Sequence, residues 1–397
     1  MGKIVKKKIR SLVDIFNNIR IPLSSKQREN LAKIYPYYGA QNIVDYVDNF
    51  LFDGEYILIA EDGENLKSNN QNICNLVNGK FWVNNHAHII QWNEYNVTKY
   101  LFYSFNTIKF EPYITGSAQP KLNKENLLNI EVFVHDDKKD QQKIASILSD
   151  LDFKIELNNN INTELEAMAK TLYDYWFVQF DFSDTNGNPY KTSGGEMVWS
   201  DELKREVPMG WEVWTLLDIA IFTNWLACQK HRPNENESYY RVIKIREMGE
   251  WFTENSEFVS TQIPKKIIVN NGDVLFSWSA TLDVKIWTGG IGWLNQHIFK
   301  VTSNDYPRSY YYFELLNYLQ HFKMMAELRK TTMGHITKEH LQQSRITIPD
   351  IEIIKKSHAI IDPILNKITI NLEENQKLAE LRDWLLPMLM NGQVVVE

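Results

Sequence analysis

The chain has 397 residues, of which 44% are apolar and 13% aromatic, with only 17 Gly and 12 Pro; this excludes a disordered or fibrous protein and predicts more than one core. No apolar run reaches the roughly 20 residues that span a bilayer, and the lysine-rich start lacks the apolar segment of a signal peptide, so we expect a cytoplasmic protein without a membrane partner. The formal net charge of −7 comes from residues 134–207 and 346–397, and the rest is nearly neutral with local basic clusters. The net charge therefore does not exclude an anionic partner.

Four short blocks of sequence occur twice along the chain, in the same order and at offsets of about 204 to 218 residues. A repeated order of this kind predicts a duplicated domain. The paired blocks are Leu12–Ile15 with Leu216–Ile219, Phe52–Leu58 with Asn270–Phe276, Trp82–His86 with Trp293–His297, and Leu122–Leu127 with Ile336–Leu341.

Within each copy the blocks are typical of short strands. The runs Tyr56–Ala60 and Val274–Trp278 follow a Gly turn, and each Lys-Glu-x-Leu sequence predicts one helical turn before an alternating strand. The Trp-x-Asn-x-His sequences that end at His86 and His297 are interpreted as strands with core histidines, because a histidine on a half-buried strand is more often structural than catalytic.

A different periodicity follows each strand-rich copy. Apolar residues and asparagines recur at alternating spacings of four and three, which predicts two long helices paired as an antiparallel coiled coil about 50 Å long. The positions are Ile144, Leu148, Leu151, Ile155, Asn158, Asn162, Leu165, Ala169, Leu172 and Trp176 in the first copy, and Ile354, His358, Ile361, Leu365, Ile368, Leu372, Asn375, Ala379, Arg382 and Leu386 in the second. Two core helices of a globular domain remain the alternative.

The ends of the second helix carry their own signals. Pro363 is expected to kink or cap the helix near its start, and Gly392 to mark its end. The expected organisation is a strand-rich domain at 1–135, a helix at 136–182, a Gly-containing linker at 183–206, a second strand-rich domain at 207–349, and a helix with a tail at 350–397. An antiparallel pairing of the helices would relate the two copies by a pseudo-twofold axis.

Motifs for catalysis are absent from the sequence. It contains no Walker A loop, GxGxxG, HExxH or GxSxG, and the two cysteines, Cys74 and Cys228, have no metal-ligand spacing, so we predict no cofactor, no metal and no catalytic residue. The spacing of Asp273, Asp283 and Lys285 leaves one enzymatic alternative, a metal-dependent nuclease.

Two long runs carry a resemblance to a known family. Glu164–Phe182 and Glu380–Val394 resemble the two recurring helical regions of the specificity (S) subunit of type I restriction-modification systems, and Val207–Trp211 resembles the opening of one of its target-recognition domains. The first copy lacks this opening Pro-x-Gly-Trp sequence. The resemblance covers nearly the whole chain.

The resemblance implies an α+β fold with two target-recognition domains separated by the two helices. It implies a chain that reads a bipartite, asymmetric sequence in double-stranded DNA, binds two methyltransferase (M) subunits through the helices and joins restriction (R) subunits that provide the motor and nuclease. The chain itself would not be an enzyme, because adenine methylation and cleavage belong to those partners. A coiled-coil scaffold or adaptor that does not bind DNA is the alternative from another class.

Within this interpretation, the loops next to the repeated blocks are expected to contact DNA, because polar side chains distinguish base edges and basic ones bind phosphates. The predicted DNA-binding residues are Tyr37, Tyr38, Gln41, Thr115, Ser117, Gln119 and Lys121 in the first domain, and Gln229, Lys230, Arg232, Lys285, Thr331, Thr332 and His335 in the second.

The helices also carry more apolar residues than one seam can cover. We expect the surplus to contact partner helices. The predicted partner-binding residues are Ile161, Met168, Tyr175, Leu378, Leu381 and Leu385.

Overall fold

The protein is described from a computed structural model that covers residues 3–40, 42–63, 66, 73–93, 97–116, 119–224, 228–262, 265–328 and 335–396. The chain forms two compact units, residues 1–154 with 378–397 and residues 155–377. Among the described residues the α-helices are α1 (Ser25–Arg28), α2 (Thr98–Asn106), α3 (Lys124–Asn129), α4 (Lys138–Tyr173), α5 (Leu216–Ile219), α6 (Ile245–Glu250), α7 (Arg308–Leu328), α8 (Lys338–Gln343) and α9 (Ile351–Met390).

The first unit contains three small sheets, with strand orders β1-β10, β2-β9-β6-β7 and β4-β3-β8-β5, in which only β3 and β8 pair in parallel among the described strands. Its strands are β1 (Ile4–Lys8), β2 (Val13–Ile15), β3 (Tyr35–Tyr38), β4 (Ile43–Val47), β5 (Phe52–Asp53), β6 (Tyr56–Ala60), β7 (Cys74–Val77), β8 (Lys80–Val83), β9 (Ala87–Trp92) and β10 (Glu131–His135). The predicted strand over Tyr56–Ala60 is confirmed.

The second unit repeats this arrangement, with strand orders β13-β22, β14-β21-β18-β19 and β16-β15-β20-β17, and β15 with β20 as the parallel pair. Its strands are β11 (Met197–Ser200), β12 (Arg205–Pro208), β13 (Glu212–Trp214), β14 (Ile221–Thr223), β15 (Tyr239–Ile243), β16 (Phe258–Ser260), β17 (Ile268–Val269), β18 (Val274–Ser277), β19 (Asp283–Ile286), β20 (Gly292–Leu294), β21 (Ile298–Thr302) and β22 (Ile346–Ile348). The duplication predicted from the sequence is therefore a duplication of topology.

The segment expected to be a linker at 183–206 has regular structure at its end. Strands β11 and β12 form an antiparallel hairpin in which Met197 faces Pro208 and Ser200 faces Arg205. The intervening turn contains Lys204 at a φ of 54°. The hairpin was not predicted, because its strands are short and carry exposed side chains such as Trp199.

The two long helices follow the predicted periodicity. In the second unit Asn158 donates a hydrogen bond to Asn375 at 2.9 Å, and Asn371 donates one to Asn162 at 2.8 Å, so the numbering rises on α4 as it falls on α9. In the first unit Arg382 of α9 forms an ion pair with Asp152 of α4 at 2.7 Å. The predicted fold class, α+β with two strand-rich copies and two long antiparallel helices, is confirmed.

Pro363 does not cap the second helix, because it lies within a helix that runs from Ile351 to Met390; the alternative expectation of a kink stays a prediction. A proline within a helix removes one backbone hydrogen bond to the carbonyl four residues earlier. Both Pro363 and Ala359 are exposed, so the carbonyl left without this bond lies on the side of the helix that faces solvent. The predicted end is confirmed, since Gly392 follows the last turn with a φ of 72°.

Each unit packs its central sheet onto its segments of the long helices. In the first unit Ile57 and Trp92 share a core with Leu148 of α4 and Leu389 of α9. In the second unit Phe276 shares a core with Ile361. Each fully buried side chain of this size contributes about 2 kcal/mol of transfer free energy, so each domain is fixed to the helical segments beside it.

The carboxyl end of α4 is fixed in the second unit by an aromatic cluster. Tyr173 stacks on Phe313 of α7 with ring centroids 4.9 Å apart, and its hydroxyl donates a short hydrogen bond to the buried carboxylate of Glu314. Burial raises the pKa of Glu314 to about 7, although the hydrogen bond from Tyr173 and the charge of Arg205 offset part of this rise.

None of the helices in the described part of the chain is both long enough and apolar enough to cross a membrane.

Candidate nucleic-acid interface

In the first domain a tight loop precedes α3. The backbones of Thr115 and Lys121 exchange two hydrogen bonds of 2.8 Å and close the loop. Gly116 has a φ of 86°, and a Cβ atom there would lie 2.3 Å from the carbonyl oxygen of Gln119, so this position requires glycine. Thr115, Gln119 and Lys121 are exposed, as a DNA-contacting role requires.

A charged network lies directly beneath this loop. Arg20 forms an ion pair with Glu61 at 2.6 Å, and the ammonium group of Lys121 lies 3.2 Å from the other carboxylate oxygen of Glu61. The side chains of Arg20 and Glu61 are only 14% and 13% exposed. His88, which is buried, contacts the carbonyl oxygen of Leu122 at 2.7 Å. The network therefore ties the loop to strand β9 and to the start of the chain.

The electrostatic balance of the network keeps Glu61 ionised. Burial raises the pKa of Glu61, but the hydrogen bonds from Arg20 and Lys121 and the charge of Arg20 outweigh burial and leave the pKa below its usual value. Burial lowers the pKa of His88, which favours its neutral form. The side chain of Lys121 is 52% exposed, so Lys121 contacts both solvent and the internal carboxylate.

A second pair lies at the same loop. His86 contacts Asp62 at 2.8 Å, and Asp62 forms a β-bridge with Lys121. The interpretation of His86 as a core residue was wrong, because its side chain is 50% exposed. The buried histidine is His88 on β9 instead, whereas His86 lies in the connection between β8 and β9.

Of the other residues predicted in the first domain, Tyr37 is 2% exposed, since β3 lies between β4 and β8 and the ring packs inside. Its hydroxyl accepts a hydrogen bond from the backbone N–H of Leu23 at 2.8 Å. This placement argues against DNA contact by Tyr37. Tyr38 is half-buried against Phe81, and Gln41 and Ser117 lie outside the described residues.

In the second domain the corresponding loop ends at His335, just before α8. His335 is exposed, and its ring centroid lies 5.6 Å from that of Trp278, which lies 5.7 Å from that of His297. Ile336 donates a backbone hydrogen bond of 2.9 Å to the carbonyl oxygen of Trp278. In the second domain Trp278 and the two histidines therefore lie next to this loop, whereas in the first domain a charged network lies next to it. Thr331 and Thr332 lie outside the described residues.

The remaining predicted residues of the second domain lie in two different environments. Arg232 is exposed and follows a 3-10 turn, Cys228–His231, that contains Gln229 and Lys230; the side chains of these two residues are outside the described part. Lys285 lies on β19 and lines a cavity of about 510 Å³ together with Glu166 of α4. Its ammonium group lies 3.7 Å from the carboxylate of Asp283, and its side chain is 44% exposed.

The nuclease alternative does not survive the geometry. Asp283 faces Ser277 on the β18–β19 hairpin, whereas Asp273 precedes Val274 at the other end of β18, about 14 Å away along the strand. Asp273 is also ion-paired with Lys300 at 2.6 Å. No group of three His, Cys, Asp or Glu side chains in the described part of the chain could hold a metal ion.

The predicted partner-binding residues fall into two groups. Ile161, Met168 and Leu381 are 37%, 53% and 43% exposed, so neither long helix covers them. The other three are partly covered by the chain itself: Tyr175 packs on the core of the second unit, Leu385 packs on the core of the first, and Leu378 is half-buried. Leu157, which the sequence analysis did not select, is 41% exposed one turn before Ile161 and extends the apolar surface of α4.

Comparison with known proteins gives consistent results. A family model described as the type I restriction modification DNA specificity domain matches residues 2–167 and 208–382. The chain is 26% identical over 313 residues to the MjaIX specificity subunit of a type I restriction enzyme from Methanocaldococcus jannaschii, covering 76% of this chain and 70% of the relative. It is 25% identical over 389 residues to a putative type I restriction enzyme specificity subunit of Haemophilus influenzae, covering 94% and 92%.

The fold is also similar to a solved structure. The crystal structure of the S subunit of a type I restriction-modification system from M. genitalium matches 98% of this chain and 96% of its own, with a TM-score of 0.63 and 14% sequence identity. At this identity the likeness concerns the fold alone.

Proposed function

The chain belongs to the family of type I restriction-modification DNA specificity subunits, and from that premise we propose that it reads a bipartite, asymmetric DNA sequence for a complex whose other subunits methylate adenine and cleave DNA. Sequence-specific DNA recognition is the role of this family. The proposal adds to this role the bipartite target, the residues that contact DNA and the partner subunits.

The observation that carries it is a duplicated topology with unlike surfaces. Both domains have the same three strand orders, so they offer DNA the same kind of framework. The loop before α3 lies over an ion-paired network, whereas the loop before α8 adjoins Trp278 and His335. Different side chains on one framework select different bases, and two different half-sequences make an asymmetric target.

Each loop supplies the chemistry that recognition needs. Lys121 and Arg232 offer cations to phosphates, which position the protein on the duplex without selecting a sequence. Thr115, Gln119 and His335 offer exposed polar groups that can bond base edges. Tyr37 leaves the proposed interface because its side chain is buried. The other predicted residues remain in it: Gln41, Ser117, Gln229, Lys230, Lys285, Thr331 and Thr332.

The exposed apolar residues of the two long helices, Leu157, Ile161 and Met168 on α4 and Leu381 on α9, are the proposed contacts for the methyltransferase subunits. We propose two such subunits, since each copy of the repeat supplies one long helix, and restriction subunits that join them. Catalysis belongs to those partners, so the chain acts as a non-catalytic subunit. The cytoplasm, where bacterial and archaeal DNA lies, is the proposed place of action.

The proposal is tested by selecting duplexes from a random library with the purified chain and its methyltransferase partner. Rounds at low and then moderate salt remove non-specific binding, which weakens steeply with salt. We expect one enriched motif with two half-sequences and a fixed gap. Binding that vanishes at moderate salt without any enriched motif would favour a scaffold that does not bind DNA specifically.

The partner surface is tested separately. Changing Ile161→Asp and Met168→Asp together is expected to weaken co-purification of the methyltransferase by several kcal/mol, because each carboxylate would be buried without a partner. The double variant Ile161→Leu with Met168→Leu keeps the apolar surface and should bind normally. Undiminished binding by the correctly folded aspartate variant would refute this surface.

A further inference from the structure

A layer of four asparagines interrupts the apolar seam between α4 and α9 in the second unit. Asn158, Asn162, Asn371 and Asn375 are 1%, 5%, 2% and 3% exposed. Asn158 donates a hydrogen bond to the side-chain oxygen of Asn375 at 2.9 Å, and Asn371 donates one to that of Asn162 at 2.8 Å. Two consecutive layers of the seam are therefore amide pairs that join the helices directly.

Neighbouring side chains extend the layer. Asn158 also donates to the carboxylate of Glu374 at 2.8 Å, and Asn375 donates to the side-chain oxygen of Asn159 at 2.8 Å. On the side toward the second recognition domain the seam becomes apolar again, with Ala169 and Ile368 in the core of that unit. Apolar residues therefore follow the polar layer on this side of the seam.

Stability alone does not account for this layer. The side-chain nitrogen of Asn162 is buried and has no acceptor among the described residues, so the layer is incompletely satisfied. Buried polar networks of this kind are often no more stable than apolar side chains of similar volume. Apolar side chains at these positions would not make one register of the helices more stable than another.

The cost of a wrong register follows from the sequence. Shifting one helix by seven residues would keep the heptad pattern, and it would place Asn158 opposite Ile368 and Asn162 opposite Ile364. Asn371 would then face Ile155. Every amide would lose its partner and lie against hydrocarbon, whereas a seam made only of leucine would accept both registers.

We propose that Asn158, Asn162, Asn371 and Asn375 are positioning residues that fix the register of the two long helices, and that this register sets the gap between the two half-sequences read on DNA. The first part stands on the helix geometry, and the second part rests on the function proposed above. The register is therefore measured without DNA, and the gap is measured separately.

Disulfide trapping reports the register. In the native register Leu165 lies opposite Ile368, and after a seven-residue shift it lies opposite Ile361. Leu165→Cys is therefore combined with Ile368→Cys in one chain and with Ile361→Cys in another. The natural cysteines, Cys74 and Cys228, are buried and free. Mild oxidation followed by peptide mapping then shows which pair closes.

With the four asparagines present, a disulfide should form only in the chain that carries Leu165→Cys and Ile368→Cys, which reports the native register. When all four asparagines are replaced by leucine, the disulfide between Leu165→Cys and Ile361→Cys, which reports the shifted register, should form in at least a tenth of the molecules. Asn160→Leu makes the same chemical change on the exposed side of α4 and should leave trapping native. If the four-leucine chain closes only the native pair, the register lock is overturned.

A second variant moves the lock instead of removing it. With Asn158 and Asn162 kept, the changes Asn371→Leu, Asn375→Leu, Ile364→Asn and Ile368→Asn place amides where only the shifted register pairs them. The Leu165→Cys and Ile361→Cys pair should then become the main product. If this variant folds but forms no disulfide between Leu165→Cys and Ile361→Cys, it has kept the native register. That result would also overturn the proposal that the asparagines fix the register.

The gap is measured by selection from duplexes that carry fixed half-sequences and variable spacers. The four-leucine variant should accept more than one spacer length, and the relocated variant should prefer one changed by about three base pairs, because seven helical residues span about 10 Å. A shifted register with an unchanged spacer would overturn the link to DNA and leave the lock standing. A natural chain that selects no split site would overturn the proposed function instead.

Discussion

The two recognition domains share a framework and differ in what they build on it. The helix that follows the central sheet has 9 residues in the first domain, Thr98–Asn106, and 21 in the second, Arg308–Leu328. The domains also differ in a buried carboxylate: the ion pair with Arg20 keeps Glu61 ionised in the first, whereas burial raises the pKa of Glu314, which accepts a hydrogen bond from Tyr173, in the second. Strand order is thus the inherited part of each domain, and helices, loops and buried charges are the part that changed.

Exchanging a whole recognition domain should have the largest effect on DNA specificity. Replacing residues 208–345 by the equivalent block of a relative should change the second half-sequence and leave the first intact, since each domain has its own sheets and loops. Discrimination for the original second half should fall by about 10³-fold, as expected when several base pairs are mismatched. Site selection measures both halves at once. A change in both halves would show that the domains do not read independently.

The buried ion pair of the first domain gives the next largest effect. Glu61→Gln leaves the guanidinium group of Arg20 without its carboxylate, which should lower the free energy of unfolding of the first unit by about 3 kcal/mol. Urea unfolding followed by hydrogen exchange in peptides of each unit locates the loss. Glu125→Gln breaks an exposed ion pair with Arg10 in the same unit and should change little. Equal effects of the two variants would contradict the assigned role of Glu61.

The two carboxylates predict opposite responses to pH. The pKa of Glu314 is raised from 4.5 to about 7, so the folded second unit keeps a proton that the unfolded chain releases. Its stability should therefore fall by about 3 kcal/mol as pH rises from 4.5 to 7 and then level off. The pKa of Glu61 is lowered, so its contribution is present above pH 4.5 and is lost as pH falls below that value.

Hydrogen exchange in urea between pH 4 and 8 separates the two responses. Glu314→Gln should flatten the profile of the second unit between pH 4.5 and 7 and leave the first unit unchanged. A profile of the second unit that rises with pH over this range would contradict the assignment.

The smallest expected effects concern the two exposed cations. Arg232→Ala should weaken DNA binding by about 1 kcal/mol and reduce the salt slope by about one. Lys121→Ala should weaken it less, because the ammonium group of Lys121 already pairs with Glu61 in the free protein. Titrations at several salt concentrations compare the two variants. A larger loss for Lys121→Ala would mean that DNA displaces Glu61 as its partner.

The helices and strands were predictable because periodicity is local. The four-and-three spacing identified seam positions such as Ile144 and Asn158 correctly, since which face of a helix is buried depends mainly on residue spacing. The strand Tyr56–Ala60 was likewise evident from its β-branched and apolar run.

The site was harder, because it is assembled from distant residues. Arg20 and Glu61 are separated by 41 positions, and no local pattern marks their ion pair. Tyr37 looked like a loop aromatic, but pairing of β3 with both β4 and β8 buries it. Asp273 and Asp283 had the spacing of a metal site until the hairpin register separated them. Such outcomes depend on strand pairing, which a single sequence does not specify.

The central claim is that one chain carries two different DNA readers. It is tested most directly by expressing the chain with its methyltransferase partner in a host without other adenine methylation and mapping every modified adenine. The account predicts one motif made of two different short half-sequences with a fixed gap between them. A continuous motif without a gap, or two identical halves, would contradict it.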